Sequence, residues 1–180
     1  MDLTWRLATE ADSECLGRIM DAAIGELQSG FLTEEQVAAS RAIMGIDSQL
    51  IADGTYFVVE HKGQIAGCGG WSRRATLYGS DTTPGRDARL LDPLTEPARV
   101  RAMYTDPAFI RRGVGRLILG LCEQAAAAEG FARLELMGTM SGQRLYEACG
   151  YTVLEEVEDT RGGAPVPLVR MVKSLGAHQA

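Results

Sequence analysis

A short basic turn that opens an amphipathic helix constrains this chain more than any other feature: Arg111-Arg112-Gly113-Val114-Gly115-Arg116. Upstream, Val100-Arg101-Ala102-Met103-Tyr104 reads as an extended apolar segment, broken at Asp106-Pro107. Downstream, Val114, Leu117, Ile118, Leu121, Cys122 and Ala125 recur at helical spacing and define one buried stripe. Strand, turn and helix in this order make an anion site. The first backbone N–H groups of a helix lack partners within it and carry the positive end of its macrodipole. Glycines let a phosphate approach the backbone, and the three arginines add positive charge. The ligand that suits this arrangement is a phosphate or, better, a diphosphate.

Length and composition bound the rest. At 180 residues the chain reads as one domain over residues 1–175 with a short tail, 176–180. Apolar residues are 46% and charged residues 23%, as in ordinary globular proteins. No apolar run approaches the roughly 20 residues that cross a bilayer, and the start lacks a signal-peptide core. Cys15, Cys68, Cys122 and Cys149 are scattered without metal-like spacing, so they read as reduced thiols and no metal site is expected. These features lead to the expectation of a cytoplasmic protein with no membrane partner. A net charge of −6 argues against nucleic acid as a partner despite the local arginines.

Period and punctuation predict the element order β-α-α-β-β-β-α-β-α-β-β. Leu3 to Ala8 is a first strand, and an amphipathic helix follows through Leu16, Ile19, Met20, Ala23, Ile24 and Leu27, ending near Gly30. Thr33-Glu34-Glu35-Gln36 matches a capping box that opens a second helix to about Met44. Residues 55–60 and 65–73 form strands joined at His61-Lys62-Gly63-Gln64, a hairpin. Gly67, Gly69 and Gly70 inside the second strand predict a bulge or the close approach of another group. Residues 75–97 carry no period, and connections of this length are functional or mobile. Strands at 132–137, 151–155 and 166–172 and a short helix ending at Gly150 complete the chain. A mixed sheet covered by helices on both faces follows, with a parallel strand–helix–strand unit from Ala98 to Met137.

The turn matches neither a Walker motif nor a dinucleotide fingerprint, because both the Gly-Lys-Ser/Thr run and the third glycine are missing. Taken alone, it is as readily a solvated basic loop. In context, Asp106-Pro107-Ala108-Phe109-Ile110-Arg111-Arg112-Gly113-Val114-Gly115 resembles the acyl-CoA motif of the GNAT N-acetyltransferases. Arg144-Leu145-Tyr146-Glu147-Ala148-Cys149-Gly150-Tyr151 resembles that family's second signature, and Trp5 to Asp12 resembles its opening strand and helix. The chain departs from the family pattern at Ile110, where Gln or Arg is frequent, and at Thr139, where many members carry Asn.

The resemblance implies a GNAT-like α/β fold: a mixed, largely antiparallel twisted sheet of about seven strands with helices on both faces. It implies acetyl-CoA as acyl donor, its diphosphate on backbone N–H groups from Arg111 to Arg116 (Arg111, Arg112, Gly113, Val114, Gly115, Arg116). Met103, Tyr104 and Thr105 would pair their backbone with the pantetheine amides. Tyr146 matches the tyrosine that protonates the departing sulfur, although a packing face of Leu145, Tyr146 and Cys149 explains the same residues. Acyl transfer to an amine also requires loss of the amine proton and stabilisation of an oxyanion. For the base, Glu135, Glu60 and a water chain at Tyr104 are candidates, and none is assigned. Arg99 and Arg101 are read as sharing a strand face with Met103, either binding an acidic acceptor group or ion-paired. The acceptor, a primary amine of a small molecule or protein, is expected among the first two helices, the Gly67–Trp71 strand, residues 75–97 and the final hairpin. Trp71 and Tyr78 are candidate lining residues, although burying ring surface in the core explains an aromatic equally well. The resemblance leaves a homodimer open. A non-catalytic acyl-CoA-binding or regulatory module is the competing expectation.

Overall fold

In the computed structural model, residues 2–176 are described. The predicted element order holds with one addition. The chain runs β1 (Thr4–Leu7), α1 (Ser13–Leu27), α2 (Glu34–Ile43), α3 (Ser48–Ala52), β2 (Tyr56–His61), β3 (Gln64–Ser72) and β4 (Ala98–Thr105). It continues α4 (Val114–Ala128), β5 (Arg133–Thr139), α5 (Gln143–Ala148), β6 (Thr152–Asp159) and β7 (Val166–Ser174). The sequence reading lacked α3, because five residues are too few to show a helical period. Its start is set locally by Asp47, whose carboxylate accepts from the Gln49 N–H. Most of the expected tail, His178 included, lies outside the described residues.

The seven strands form one sheet in the order β1-β2-β3-β4-β5-β7-β6. All neighbours are antiparallel except β4 and β5, the two ends of the predicted parallel unit. Period-2 alternation sends β2 side chains to opposite faces. Phe57 and Val59 join the core beneath α4, with Val114, Ile118, Leu119 and Cys122. Tyr56 and Val58 join the core beneath α1, with Leu16, Ile19 and Met20. A third cluster packs Val37, Ala39 and Ile43 of α2 onto Val166 and Leu168 of β7. The α4 stripe is turned slightly from the expected one: Leu119 and Ala126 are buried, while Leu117, Leu121 and Ala125 are half-buried.

Punctuation residues behave as their chemistry requires. Thr33 and Gln36 form the reciprocal capping box. Lys62 and Gly63 both have positive φ, +51° and +78°, which gives the tight hairpin between β2 and β3. The β3 glycines serve close approach. A Cβ on Gly67 would lie 2.6 Å from Val114 Cγ1 and 2.8 Å from the Tyr104 carbonyl oxygen. One on Gly69 would lie 2.7 Å from Met103 Cγ and 2.8 Å from Ile118 Cγ2. The first turns of α4 therefore rest on a track without side chains.

Gly67→Ala forces α4 or β4 to shift, and overpacking of this kind costs about 1–3 kcal/mol. Urea denaturation is expected to show that loss, with a melting point lower by about 2–4 °C for each kcal/mol. An unchanged midpoint would mean that α4 is not seated on β3 as described.

Candidate active site

A fork in the sheet creates the site. Strands β4 and β5 pair only at Ala98↔Leu134 and Arg99↔Glu135, after which β5 follows β7 as far as Thr139↔Leu168. From Val100 onward no strand among the described residues pairs with the β5-facing edge of β4, so its backbone groups need other partners. A bulge bends β4 within this stretch: Cys68↔Tyr104 and Gly70↔Arg101 leave Ala102 and Met103 opposite the single residue Gly69. Ala102 takes φ +48°, and its carbonyl accepts from the Tyr56 hydroxyl at 2.7 Å. A cavity of about 700 Å³ fills the fork, within the usual size of small-molecule sites.

The bulge also corrects one sequence expectation. Uninterrupted alternation puts Arg101 and Met103 on one face, but the extra residue separates them. Met103 packs with Val100 in the α4 core. Arg101, 3% exposed, turns to the other side and donates to Asp47 Oδ2 at 2.6 Å and to the carbonyls of Thr76 and Gly79.

At one end of the cavity the basic turn enters α4. Arg111 and Gly113 have φ of +61° and +88°, and the Gly113 conformation is one that β-branched and bulky residues avoid. No side chain caps the helix, so its first N–H groups are left for an outside partner. Gly115 has a role the sequence reading did not anticipate: a Cβ there would lie 2.6 Å from Leu145 Cδ2, so this glycine seats α4 against α5. Met103, Tyr104, Thr105, Arg111, Gly113, Val114, Gly115, Arg116 and Tyr146 all line the one cavity. Arg112 is not among the lining residues; its guanidinium lies over the Phe109 ring, 5.7 Å from the centroid.

Tyr146 projects from α5 into the fork. Its ring lies in a slot that glycines make possible, since a Cβ on Gly138 or Gly142 would approach Cε2 to 3.0 or 2.9 Å. The Tyr151 ring meets it edge-on at 6.1 Å. Burial pushes the Tyr146 hydroxyl up to about 12, so it stays protonated through the neutral range. Close by, Thr139 Oγ1 accepts from the Gly142 N–H at 3.2 Å and lies 3.1 Å from Ser141 Oγ.

The far end is built by α1, the stretch from Met44 to Gly45, residues 77–79 and β7. Residues 75–97 are tied down at many points. Backbone bonds join Ala75 to Arg89, Thr76 to Asp87 and Leu91 to Arg73. Asp47 clamps the segment by accepting from both Arg86, at 2.8 Å, and Arg101. Tyr78 donates to Asp159 at 2.8 Å, and Arg161 pairs with the same carboxylate while lying over the Tyr78 ring. Tyr78 thus lines the cavity as expected, with Leu168 from the final hairpin. Trp71 and β3 do not. Trp71 is 2% exposed and packs in the α4 core against Phe131, which is the burial reading of that aromatic. Gln28, Phe31 and Met44 also line the cavity, and no periodicity in the sequence marks them.

Of the candidate bases, Tyr104 lines the cavity, and the two carboxylates lie elsewhere. Glu135 is buried and held by Arg99 at 2.6 Å and Arg170 at 3.0 Å. Glu60 pairs with Arg6 on the opposite side of the sheet from the fork's open edge. His61 lies against the Asp2 carbonyl and the Phe109 ring. Among the described residues, no group of three or more His, Cys, Asp or Glu is placed to hold a metal ion. No helix among them is long and apolar enough to cross a membrane.

Comparison with known proteins agrees with this architecture. Residues 52–153 match the family model of the acetyltransferase (GNAT) domain. A search of curated protein sequences finds no match. Among solved structures, a GCN5-related N-acetyltransferase from Rhodopseudomonas palustris superposes with a TM-score of 0.73 at 19% identity, covering 97% of both chains. A putative acetyltransferase from Salmonella typhimurium, solved with its cofactor acetyl-CoA, gives 0.64 at 18% identity over 100% of this chain and 98% of that one. An N-acetyltransferase from Thermoplasma acidophilum in complex with coenzyme A gives 0.64 at 12% identity, covering 97% and 99%. The fold and the fork thus define an acyltransferase, and the chain belongs to the GNAT acetyltransferase family.

The Tyr78–Asp159–Arg161 contact predicts an acid-sensitive wall. The Arg161 hydrogen bond draws the Asp159 carboxyl down to about 2, against about 3.9 in an unfolded chain. A depressed carboxylate contributes stability that is complete above about pH 4 and is lost as pH falls toward about 2. The stability gap between the native chain and Asp159→Asn, measured by urea denaturation, should be constant near neutrality and shrink through that acid window. A gap independent of pH would show that the ion pair adds nothing.

Proposed function

We propose that this protein transfers an acetyl group from acetyl-CoA directly to a primary amine of a small molecule or protein. The observation that carries the reading is the single cavity that joins an uncapped α4 N-terminus, an unpaired β4 edge and a buried, protonated Tyr146. The residues present suit the donor. The N–H groups from Gly113 to Arg116 offer an anion site with Arg111 and Arg116 around it, fit for the diphosphate, while Arg112 stands over Phe109 outside the lining. The free edge at Met103, Tyr104 and Thr105 offers backbone partners to the amides of an extended pantetheine arm. Thr139 presents a short hydroxyl already engaged with Ser141, in place of a longer amide side chain.

Within this reading Tyr146 is the acid. Its hydroxyl keeps its proton at neutral pH and donates to the sulfur as the thiolate departs, from a side chain that is itself buried. Direct transfer is supported by the lining itself. None of the four cysteines lines the cavity, the Thr139 and Ser141 hydroxyls face each other, and among the described residues no histidine or carboxylate lines the cavity to activate a nucleophile.

Tyr146→Phe is expected to lower kcat by about 100-fold or more, the usual scale of general acid catalysis, with acetyl-CoA affinity roughly unchanged. Free-thiol release and calorimetric titration of acetyl-CoA measure the two separately. Undiminished turnover removes Tyr146 from the mechanism. Tight acetyl-CoA binding with no thiol release on any amine would favour the binding module.

A further inference from the structure

The end of the cavity away from the basic turn constrains the acceptor, on the reading that the protein is an acetyltransferase. Ile24 and Leu27 of α1 and Phe31 just beyond it, with Met44, Leu77 and Leu168, make it apolar. Among the described residues, no Asp, Glu, His or Lys lines any part of the cavity. The charged lining groups are all cationic: Arg101 near this end, and Arg111, Arg116 and Arg144 toward the turn. Two carboxylates that stand behind the wall are already neutralised, Asp47 by Arg86 and Arg101, and Asp159 by Arg161. The remaining titratable lining groups are Tyr78, Tyr104 and Tyr146, each raised above the ordinary phenol value by burial and therefore not a base near neutral pH. One neutral side chain stands ready to accept a hydrogen bond. Gln28 is 5% exposed, its amide N–H meets Met44 Sδ at 3.6 Å, and no other hydrogen bond of that side chain is formed among the described residues.

An ammonium entering this chamber would shed its water and meet no unpaired carboxylate among the described lining residues. A neutral amine loses far less and can donate to the Gln28 oxygen. We infer that the acceptor is a weakly basic primary amine, of the α-amino type, carried on an apolar body and bound in its neutral form. At pH 7 an alkylamine of pKa about 10.4 is neutral in about 1 molecule in 2,500, whereas an α-amino group of pKa about 8 is neutral in about 1 in 10. The balance of the transfer fits this chain's residues. The amine nitrogen bonds to the thioester carbon, the C–S bond breaks, and Tyr146 supplies the sulfur's proton. The amide keeps one amine proton, and the other leaves to water and returns the net proton to Tyr146. No side chain is required to deprotonate the incoming amine, because water has done so before it binds.

The test uses the full chain, acetyl-CoA and four acceptors. Phenylalanine amide and phenethylamine share an apolar body but differ in basicity; serine amide keeps the basicity and removes the apolar body; a short peptide beginning with Phe reports whether a protein terminus fits as well as a free amine. At neutral pH, kcat/KM for phenylalanine amide is expected to exceed that for phenethylamine by roughly tenfold or more, and to exceed serine amide by about 10-fold or more for the lost apolar contact. The rising limb of kcat/KM against pH should move with the pKa of the acceptor. Preference for phenethylamine, equal use of serine amide, no use of any acceptor, or a limb fixed at one pH for all of them overturns the inference. Calorimetry with acetyl-CoA is read separately: absent binding overturns the acetyltransferase reading itself, whereas intact binding with the wrong amine preference overturns only the acceptor class.

Discussion

The parting of β4 from β5 is the constraint on which the rest of the molecule depends. It occurs at an ionic clamp. Glu135 of β5, buried in the sheet, accepts from Arg99 of β4 and Arg170 of β7, so three strands are held together at the base of the fork. Two residues beyond the last β4–β5 pair, at Arg101, a side chain pulls the other way. The Arg101 side chain reaches away to Asp47 and the carbonyls of Thr76 and Gly79 while its backbone stays paired with Gly70, and the bulge follows at Ala102. Buried charges of this kind add little net stability once desolvation is counted, but leaving one unpaired is costly. They therefore act as fixed points, and the open edge between them is the consequence.

The two ends of the resulting cavity are built on different principles. The end at the basic turn uses backbone: an uncapped helix N-terminus, a glycine at positive φ and an unpaired strand edge. Backbone groups present the same chemistry whatever the neighbouring side chains, which explains how chains 12–19% identical retain this architecture. The other end uses side chains from α1, the 77–79 segment and β7, elements that the fold brings together from distant parts of the chain. Its composition is free to vary, so family membership leaves the acceptor to be argued from the residues themselves.

Much of this was legible in the sequence where the signal is local. The capping box at Thr33, the turn at Lys62-Gly63 and the crowding at Gly67 and Gly69 each follow from the chemistry of one to four residues. Legibility failed where a contact joins distant segments. A strict alternation put Arg101 beside Met103, and only pairing with β3 reveals the bulge that separates them. Gly115 looked like a phosphate glycine, but its crowded neighbour is Leu145 on α5. Trp71 fitted a substrate wall or a core equally well until Phe131 and the α4 core were seen to cover it.

By itself the sequence determined the order of elements, the basic turn at the start of α4 and the tyrosine thirty-odd residues beyond it, because periodicity, glycine and capping act over a few residues. The tertiary structure alone decided where β4 and β5 part, which carboxylates are spent on arginines, and that the chamber beyond Tyr146 is apolar and free of acid among the described residues. Those outcomes depend on side chains far apart in the chain competing for the same buried partners, and such competition is resolved only when the core closes around them.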